Sequence, residues 1–371
     1  MDWGLLALPG FLIWFIILVL PWRPWSTRES LEGDTHITAD LSRITVLIPA
    51  RNEEACIAHT LNGLKQQGNG FVTILINDQS EDATAAVAGE SGLDGLTVIQ
   101  GKPLPNGWNG KLWALEQGLG RVDTELVLLL DADIHLDPGT MATLMNKLER
   151  QQLAMVSLMA SLRMQNFWEK MLMPAFIFFF KLLYPFQLSN SASGYVAAAA
   201  GGCILVRREA LVKAGAFASL RHCLIDDCAL ARRIKNNAGR IWTGLTHSAQ
   251  SRRRYDKLQT ISDMITRTAF TQLAHSWLML LLCTVLMIPA FAFPIVLLVP
   301  PFNWTDMLAL VTLAMMFFCY LPVLRYYSLH PGWACALPVI GLVYLSMTWL
   351  SAGQFLLGKG SRWKDRHYST L

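Results

Sequence analysis

Short hydrophobic runs alternate with mixed polar segments through the middle of the chain. Each run is rich in β-branched or aliphatic residues and ends at polar residues, which predicts strands, while the segments between them have helical patterns. The predicted strands are 43–50, 71–78, 96–101 and 125–133, and the predicted helices between them are 53–67, 83–90 and 112–119. Hydrophobic strands separated by helices predict an α/β fold with a mostly parallel sheet covered by helices on both faces.

Much longer apolar runs lie on either side of this α/β pattern. Segments 4–22, 268–305, 307–324 and 326–358 contain no Asp, Glu, Lys or Arg. A helix needs about 20 apolar residues to cross the hydrocarbon core, so these runs predict transmembrane helices at both ends. The predicted domains are an N-terminal transmembrane anchor at 1–25, an α/β domain at 42–270, about three C-terminal transmembrane helices within 276–357 and a basic tail at 358–371.

The N-terminal apolar segment is typical of a retained anchor rather than a cleaved signal peptide. No basic residue precedes it, and no small-x-small cleavage pattern follows it. Trp22 and Trp25 stand beside Arg23 and Arg28, which is typical of a membrane interface with a positive flank. The positive-inside rule therefore predicts that the α/β domain is cytoplasmic.

Two apolar segments have open assignments. Three full spans after a cytoplasmic domain would put the basic tail on the opposite side of the membrane, so 276–299, which contains Pro289 and Pro294, is a candidate re-entrant or interfacial segment. Residues 171–184 are too short to span and contain Lys181. This segment is either an amphipathic helix against the bilayer or a buried core helix.

Composition supports a membrane protein and excludes several other classes. The 371 residues are 53% hydrophobic and only 16% charged, and the net charge of +4 is too small to indicate a nucleic-acid partner. None of the seven cysteines forms a C-x-x-C pair, so we expect reduced thiols and no structural zinc. That expectation includes Cys223 and Cys228, which lie near His222.

Two carboxylates end the fourth predicted strand, in "VLLLDADIHLDPG". Side chains alternate along a strand, so Asp131 and Asp133 should project to the same side. Two close carboxylates repel each other unless a cation lies between them, and Mg²⁺ or Mn²⁺ typically takes one or two carboxylates together with substrate phosphates. The alternative is an ordinary turn at a strand end. A D-x-D pair alone does not decide between them.

Polar residues also end the first two predicted strands. In a parallel sheet, ligands bind at the carboxyl ends of the strands. The residues there are Pro49, Arg51 and Glu53 in "IPARNEE" and Asp78 in "INDQSEDAT". Ser80 or Asp82 could simply cap the following helix, and a cap and a nucleotide contact can occupy the same turn.

A lysine opens the third predicted helix in "PLPNGWNGKLWAL". Gly107 and Gly110 surround Trp108, and Lys111 follows at the helix N-terminus. Its charge and the exposed backbone N–H groups suit a diphosphate, although the segment lacks the Walker pattern.

Two further charged groups lie downstream. In "LIDDCALARRIK", one of the adjacent Asp226 and Asp227 is expected to be the helix N-cap, which leaves the other as a candidate general base. In "QSRRRYD", the arginines at 252–254 could meet either the phosphates of a leaving nucleotide or anionic lipid headgroups.

Taken in order, these motifs resemble the family 2 glycosyltransferases of the GT-A fold. The resemblance covers about 42–270 and rests on "IPARNEE", "NDQSEDAT", "GWNGKLWA", "DAD", "GGCILVRREAL" and "DDCAL". The membrane helices, "PLPNGWNGKLWA" and "RTAFTQL" are similar to those of the hopene-associated glycosyltransferases and near the bacterial carotenoid glycosyltransferases. The resemblance implies a GT-A nucleotide-diphospho-sugar transferase fold with N-terminal and C-terminal transmembrane helices.

The resemblance also implies a reaction and a set of roles. The reaction is inverting transfer from a nucleotide-diphosphate sugar, such as a UDP-sugar, to the hydroxyl of a hopanoid or other isoprenoid-derived lipid, at the cytoplasmic membrane of a bacterium. The implied residues are Asp227 as catalytic base, Asp133 and Asp131 at the Mg²⁺ or Mn²⁺ ion, and Pro49, Arg51, Glu53, Asp78, Lys111, Asp131, Arg253 and Arg254 at the donor.

Two departures from the family pattern bear on these roles. Asp226 stands where the family often has Glu. Gln250 begins an incomplete Q-x-x-R-W motif, which leaves the choice between Arg253 and Arg254 open. A processive polysaccharide synthase would normally have that motif and more spans. A non-catalytic membrane scaffold is the alternative of a different class.

Overall fold

The computed structural model describes residues 4–298, 304–358, 362–363 and 366–367. The strands are β1 Ile44–Ala50, β2 Val72–Asn77, β3 Leu96–Gln100, β4 Leu126–Leu130, β5 Ile134–Leu136, β6 Met155–Ser161, β7 Cys203–Arg207, β8 Ile241–Ser251, β9 Arg362–Trp363 and β10 Arg366–His367. The helices are α1 Gly4–Val19, α2 Glu54–Lys65, α3 Thr84–Gly89, α4 Gly110–Leu119, α5 Thr140–Arg150, α6 Phe167–Leu183, α7 Phe186–Ser189, α8 Arg208–Lys213, α9 Asp226–Asn236, α10 Leu258–Thr266, α11 Ala269–Gln272, α12 Trp277–Met287, α13 Phe293–Val296, α14 Trp304–Tyr326 and α15 Leu337–Leu356.

Eight of these strands form one mixed sheet in the order β3-β2-β1-β4-β7-β6-β8-β5. The first four strands are parallel, as predicted, with Leu47 of β1 opposite Ile74 of β2 on one side and Leu129 of β4 on the other. The other half is mixed: β7 runs antiparallel to both β4 and β6, β6 is parallel to β8, and β5 is antiparallel to β8. The sheet therefore has its uniform carboxyl edge at β1 to β4.

The central strands are hydrophobic throughout because both faces of the sheet are covered. Every residue of β1 and β4 is buried. Alternate side chains enter two separate cores, with Val46 packing with α2, α3 and α5 on one face and Leu47 packing with α4, α8 and α9 on the other. This is the two-faced α/β arrangement that the continuous hydrophobic runs predict.

The chain divides into two compact units that differ from the predicted domains. One is the sheet unit, residues 29–163 and 188–254, and the other is the helical unit, residues 1–28, 164–187 and 255–371. Residues 164–187 and 255–270, which the sequence places within the 42–270 domain, thus cluster with the terminal helices. The predicted basic tail at 358–371 lies largely outside the described residues.

Three helical segments in the described part of the helical unit are long and apolar enough to cross a membrane. They are Trp277–Val296, Trp304–Tyr326 and Pro331–Leu356. Pro289 and Pro294 do not end the first of them, because a π-helical segment at Ile288–Ala292 joins α12 to α13. The N-terminal helix α1 is shorter, with 16 residues.

Helix α6 lies in the interior of the helical unit, which favours the buried alternative for the 171–184 segment. Phe178 is fully buried and its ring packs against Trp14 and Tyr320. The Tyr344 hydroxyl donates a 2.8 Å hydrogen bond to the Leu172 carbonyl. Lys181 is also buried and donates to the carbonyl of Ser26. The segment therefore packs against neighbouring helices on more than one side.

Candidate active site

The two carboxylates of the D-x-D motif lie in a turn after β4, and not within the strand. The prediction that strand alternation orients them is wrong, because β4 ends at Leu130 and the next strand begins at Ile134. Hydrogen bonds hold the turn instead. The Asp131 N–H donates to the Gly202 carbonyl at 3.0 Å, and the Arg252 N–H donates to the Asp133 carbonyl at 2.8 Å. Backbone hydrogen bonds to residues next to β7 and β8 therefore hold the turn in place.

A buried threonine supports the same turn from the opposite side. Thr60 lies in α2 with no exposed surface, and its hydroxyl donates a 2.7 Å hydrogen bond to the carbonyl of Ala132. A hydroxyl without a partner in this position would be costly, so the contact both satisfies Thr60 and fixes the peptide between the two aspartates. The D-x-D turn is thus a rigid element.

Asp131 pairs with Lys111. The Lys111 Nζ lies 2.6 Å from Asp131 Oδ1. Desolvation raises the pKa of Asp131, and the charge of Asp133 raises it further, while Lys111 opposes both. Desolvation lowers the pKa of Lys111, but Asp131, Asp226 and Asp227 outweigh that effect and raise it. Lys111 is therefore the cation that offsets a group of acidic side chains.

Local sequence explains the position of Lys111. The Asn109 side chain accepts a 2.9 Å hydrogen bond from the Lys111 N–H, which is an ordinary helix N-cap and starts α4 at Gly110. Gly107 has φ +78°, a left-handed conformation that glycine adopts at little cost. The turn and cap together place the lysine in the first turn of the helix, as the sequence predicts.

Asp133 is held on a different side from Asp131. The Ser251 hydroxyl donates a 2.7 Å hydrogen bond to Asp133 Oδ2, and Arg253 Nε lies 3.6 Å from the same oxygen. Arg253 also donates from Nη2 to Glu53 Oε1 at 3.1 Å. The predicted donor residues Glu53 and Arg253 are therefore brought together with the predicted metal ligand. Arg254 is exposed, and none of the described residues forms an ion pair with it.

The adjacent aspartates 226 and 227 both lie within the first turn of α9, and the expectation that one of them is the N-cap is wrong. The N-cap is Ile225, which makes no side-chain capping bond. Asp227 Oδ1 instead accepts from the Cys228 N–H at 2.7 Å, and Oδ2 accepts from the Gly201 N–H at 2.9 Å. The positive end of the helix dipole still favours these carboxylates.

The surroundings of Asp227 raise its pKa. Burial is the largest cause and the charge of Asp226 the second, and together they raise the pKa to about 6 despite two backbone hydrogen bonds and the attraction of Lys111. A carboxyl group with this pKa is mostly ionised at pH 7 and is a stronger base than an ordinary aspartate. Asp227 is thus suited to accept a proton.

Lys111 and Asp227 flank the same glycine. A Cβ atom on Gly201 would lie 3.3 Å from Lys111 Nζ and 3.4 Å from Asp227 Oδ2. The three residues line one cleft together with Asp226. The base candidate and the Lys111–Asp131 pair therefore belong to one site, which lies where β4 and β7 meet. The small-residue run ending in "GGC" is what allows this approach.

The loops after β1 and β2 form a second part of the site. Arg51, which is buried, donates from Nη1 to the carbonyls of Asp78 at 2.8 Å and Gln79 at 2.7 Å. Asn52 and Gln79 have φ values of 51° and 55°, so both loops contain a left-handed residue. These contacts fix the two strand ends to each other, while Pro49 is paired opposite Ile76 in the sheet.

Asp82 accepts backbone hydrogen bonds at the starts of two helices, which is the structural role that the sequence left open. Its Oδ2 accepts from the Glu54 N–H at 3.1 Å and its Oδ1 from the Thr84 N–H at 3.0 Å, so it satisfies backbone donors at the starts of both α2 and α3. Asp78 has no exposed surface. The buried position of Asp78 and the engaged Arg51 guanidinium indicate that these residues shape the loops.

The residue types fit a divalent cation held jointly with a substrate. No group of three or more His, Cys, Asp or Glu side chains that could hold a metal occurs among the described residues. Two neighbouring carboxylates, Asp131 and Asp133, do occur, and their mutual repulsion is one cause of the raised pKa of Asp131. Mg²⁺ and Mn²⁺ are commonly held by one or two carboxylates plus substrate phosphates.

Ser251, Thr60 and Gly201 belong to the site but were not predicted as site residues. Ser251 and Thr60 are common polar residues without a motif, and their partners lie 118 and 72 positions away in the chain. Gly201 carries a usable signal, because two adjacent glycines directly before the apolar run 203–206 indicate close approach of another group. Sequence spacing alone could not reveal the other two.

Part of the chain is similar to known proteins. Residues 45–215 match the family model described as glycosyl transferase family 2. A 4,4'-diaponeurosporenoate glycosyltransferase of Staphylococcus aureus (strain USA300) is 36% identical over 128 residues, which are 34% of this chain and 33% of the relative. This chain thus matches about one third of the length of that relative.

A solved structure shows the fold. The mannosyltransferase from Pyrobaculum calidifontis, solved in complex with GDP-Man and Mn²⁺, has a TM-score of 0.55 at 18% identity, covering 95% of this chain and 98% of that chain. The predicted GT-A fold is confirmed, with helices on both faces of the sheet and apolar helices at the C-terminus. The sheet, which the sequence predicts as mostly parallel, is mixed.

Proposed function

We propose that this chain, whose residues 45–215 match the family model described as glycosyl transferase family 2, transfers a sugar with inversion from a nucleotide-diphosphate sugar to the hydroxyl of a membrane lipid. One observation carries the proposal: Lys111 pairs with Asp131 and also flanks, with Asp227, the same glycine. A diphosphate-binding cation and a proton-accepting carboxylate in one cleft are the two groups that such a transfer needs.

The donor half of the proposed site consists of the D-x-D turn, Lys111 and Arg253. Asp131 and Asp133 would hold Mg²⁺ or Mn²⁺, which when bound neutralises the developing charge on the leaving diphosphate. Lys111 provides a fixed positive charge at the N-terminus of α4, where backbone N–H groups also favour an anion. Arg253 adds a second positive charge beside Asp133. Arg51, Glu53 and Asp78 shape the nucleoside pocket with Pro49.

Asp227 is the proposed base. It would accept the proton of the acceptor hydroxyl as the oxygen attacks the anomeric carbon from the face opposite the leaving diphosphate. Attack from that face inverts the configuration. Both carboxylate oxygens of Asp227 are oriented by backbone N–H groups, so the base is positioned before substrate arrives.

A lipid acceptor is supported by the helical unit and by one relative. Three segments can cross a membrane, and the S. aureus relative is named a 4,4'-diaponeurosporenoate glycosyltransferase. We propose an isoprenoid-derived lipid, with a hopanoid as the narrower candidate, and a UDP-sugar as donor. The protein would be integral to the cytoplasmic membrane of a bacterium, with the sheet unit on the cytoplasmic side and a retained anchor at α1.

The test is transfer of labelled sugar to lipid. Membranes containing the protein are incubated with labelled UDP-sugars or GDP-sugars, Mn²⁺ or Mg²⁺ and total bacterial lipid, and the labelled lipid is identified by mass. We expect a cation-dependent glycolipid that is absent from membranes with the Asp227→Asn protein. Nucleotide binding without any turnover under all these conditions would instead support a non-catalytic scaffold.

Replacement of Lys111 by methionine should weaken donor binding. The variant keeps the apolar length of the side chain but removes the charge that offsets Asp131 and faces the diphosphate. A hydrogen bond to a charged group contributes about 1.5–3 kcal/mol, so we expect the donor KM to rise about tenfold to a hundredfold. Initial rates over a donor concentration series measure this change.

Lys102 provides the matched control for that substitution. It is exposed in the loop that precedes α4, and Lys102→Met should leave the donor KM unchanged. An unchanged donor KM in Lys111→Met would contradict the assignment of Lys111 to the diphosphate.

The rate of transfer should depend on the ionisation of Asp227. The pKa is raised to about 6, and only the ionised carboxylate can accept a proton. The rate constant kcat/KM for acceptor should therefore rise about tenfold per pH unit below 6 and level off above about pH 7. A pH-rate profile at saturating donor and cation measures this dependence. A rate that is flat between pH 5 and 7 would speak against Asp227 as the base.

A further inference from the structure

The Asp133 side chain is in contact with two groups that compete for its oxygen. Ser251 donates a 2.7 Å hydrogen bond to Oδ2, whereas the Arg253 guanidinium lies farther away, with Nε at 3.6 Å from the same oxygen. Ser251 and Asp133 are each about nine-tenths buried. Ser251 therefore makes the hydrogen bond to this oxygen, and Arg253 makes a longer ion pair with it.

Arg253 divides its contacts between Asp133 and Glu53. The guanidinium donates from Nη2 to Glu53 Oε1 at 3.1 Å, so part of its hydrogen-bonding capacity is directed to another acid. The Ser251 hydroxyl meanwhile occupies Oδ2. Among the described residues, both contacts of the Asp133 side chain go to that single oxygen, so Oδ1 is the oxygen that we assign to a further partner.

We propose that Ser251 is a positioning residue that fixes the Asp133 carboxylate so that Oδ1 is presented to the divalent cation of the donor complex. The inference rests on the proposed function, because it assumes that Asp133 holds the cation. Register supports it: Ser251 is the last residue of β8 and pairs with Ile134, directly beside Asp133, so the short serine side chain reaches the carboxylate without rearrangement.

The residues of the incomplete Q-x-x-R-W motif have separate contacts near the D-x-D turn. Gln250 donates to both carboxylate oxygens of Asp137, which anchors the end of β8, and the next residue, Ser251, contacts Asp133. Arg253 then reaches the site and Arg254 is exposed. The last residue of β8 and the two residues after it thus contact the D-x-D turn through the Ser251 hydroxyl, the Arg252 backbone N–H and the Arg253 guanidinium.

Removal of the Ser251 hydroxyl should weaken cation binding, although the proposed ligand Asp133 is still present. Loss of a group that orients a metal ligand typically costs about ten- to a hundredfold in metal affinity. We therefore expect Ser251→Ala to raise the dissociation constant for Mn²⁺, measured by electron paramagnetic resonance at saturating UDP or GDP, by about that factor. Ser251→Thr retains the hydroxyl and should bind Mn²⁺ like the wild type.

Three controls separate positioning from general damage. Ser251→Cys keeps the volume but donates poorly, so it should reproduce the alanine effect even if the alanine variant folds badly. Ser248→Ala removes another buried hydroxyl of β8, which bonds to Glu32, and should leave Mn²⁺ affinity unchanged. Nucleotide affinity without Mn²⁺ should be equal in all variants, and turnover of the alanine variant should recover at high Mn²⁺.

The outcomes distinguish this proposal from the one on which it rests. Loss of Mn²⁺ binding in Asp133→Ala with wild-type binding in Ser251→Ala and Ser251→Cys would overturn the role of Ser251 and leave the cation site intact. A wild-type protein that binds no Mn²⁺ with either nucleotide would overturn both proposals. Weakened nucleotide binding without metal in the alanine and cysteine variants would show a general distortion, and would also overturn the positioning role.

Discussion

Asp227→Asn is expected to abolish sugar transfer while leaving donor binding intact. Asparagine has the same shape and can still accept a backbone hydrogen bond from Gly201, but it cannot take a proton from the acceptor hydroxyl. General-base catalysis typically contributes about 10²–10⁴ in rate, so we expect kcat to fall by that factor. Single-turnover transfer and equilibrium binding of the donor nucleotide measure the two properties separately.

The stability of the same variant provides an internal control. A folded-state pKa raised from 3.8 to about 6 means that the neutral carboxyl is favoured in the folded protein. The stability that Asp227 contributes is then fully present below about pH 4 and is lost as the pH rises through 6. Asparagine does not titrate and keeps only one of the two backbone hydrogen bonds, so we expect the Tm of the wild type relative to Asp227→Asn to be higher at pH 4 than at pH 7.

Two other variants test whether the loss of transfer is specific to Asp227. Asp123→Asn, at an exposed acid before β4, should retain full transfer. Asp226→Asn should have a smaller effect than Asp227→Asn, because Asp226 acts on Asp227 through its charge. Near-normal transfer by Asp227→Asn would show that another group is the base.

Asp133→Ala is expected to remove cation-dependent turnover. The substitution deletes a proposed cation ligand and leaves Arg253 next to an empty space rather than a carboxylate. Stabilisation of the leaving group by a cation is worth several kcal/mol, so kcat/KM should fall about a thousandfold and should not recover at high Mn²⁺. Donor hydrolysis over a Mn²⁺ series measures the effect.

A nearby acid provides the comparison for Asp133. Asp137 lies four residues later, is partly exposed and binds the Gln250 side chain, so Asp137→Asn should keep the cation dependence of the wild type. Recovery of full activity by Asp133→Ala at high Mn²⁺ would mean that Asp133 only assists the cation, and that Asp131 is the principal ligand.

The first half of the sheet could be predicted from the sequence, and the second half could not. Strands β1 and β4 are fully buried, β2 is buried after its first residue, and all four strands alternate with helices, so their hydrophobic runs and order along the chain favour a parallel arrangement. Strands β6, β7 and β8 pair out of chain order and in mixed directions. Those pairings depend on contacts between distant segments, for which local patterns carry no signal.

The candidate site also contains residues that the sequence reveals and residues that it does not. Asp131, Asp133, Lys111 and Asp227 could be singled out because charged residues at strand ends and helix starts are informative by themselves. Their partners could not be predicted, since Ser251 lies 118 positions from Asp133 and Arg253 lies 200 positions from Glu53. The capping role expected at α9 was wrong because Ile225 begins the helix and both acids fall inside it.

The discontinuous chain path has a practical consequence for isolating the sheet unit. A continuous 42–270 fragment would keep α6 but lose α15, whose Tyr344 bonds to Leu172. It would also lose Trp14 and Tyr320, which cover Phe178. Each large apolar side chain uncovered in this way forfeits about 1.5–3 kcal/mol and favours aggregation. A soluble sheet unit therefore requires a polar linker in place of 164–187 and a chain end near 254.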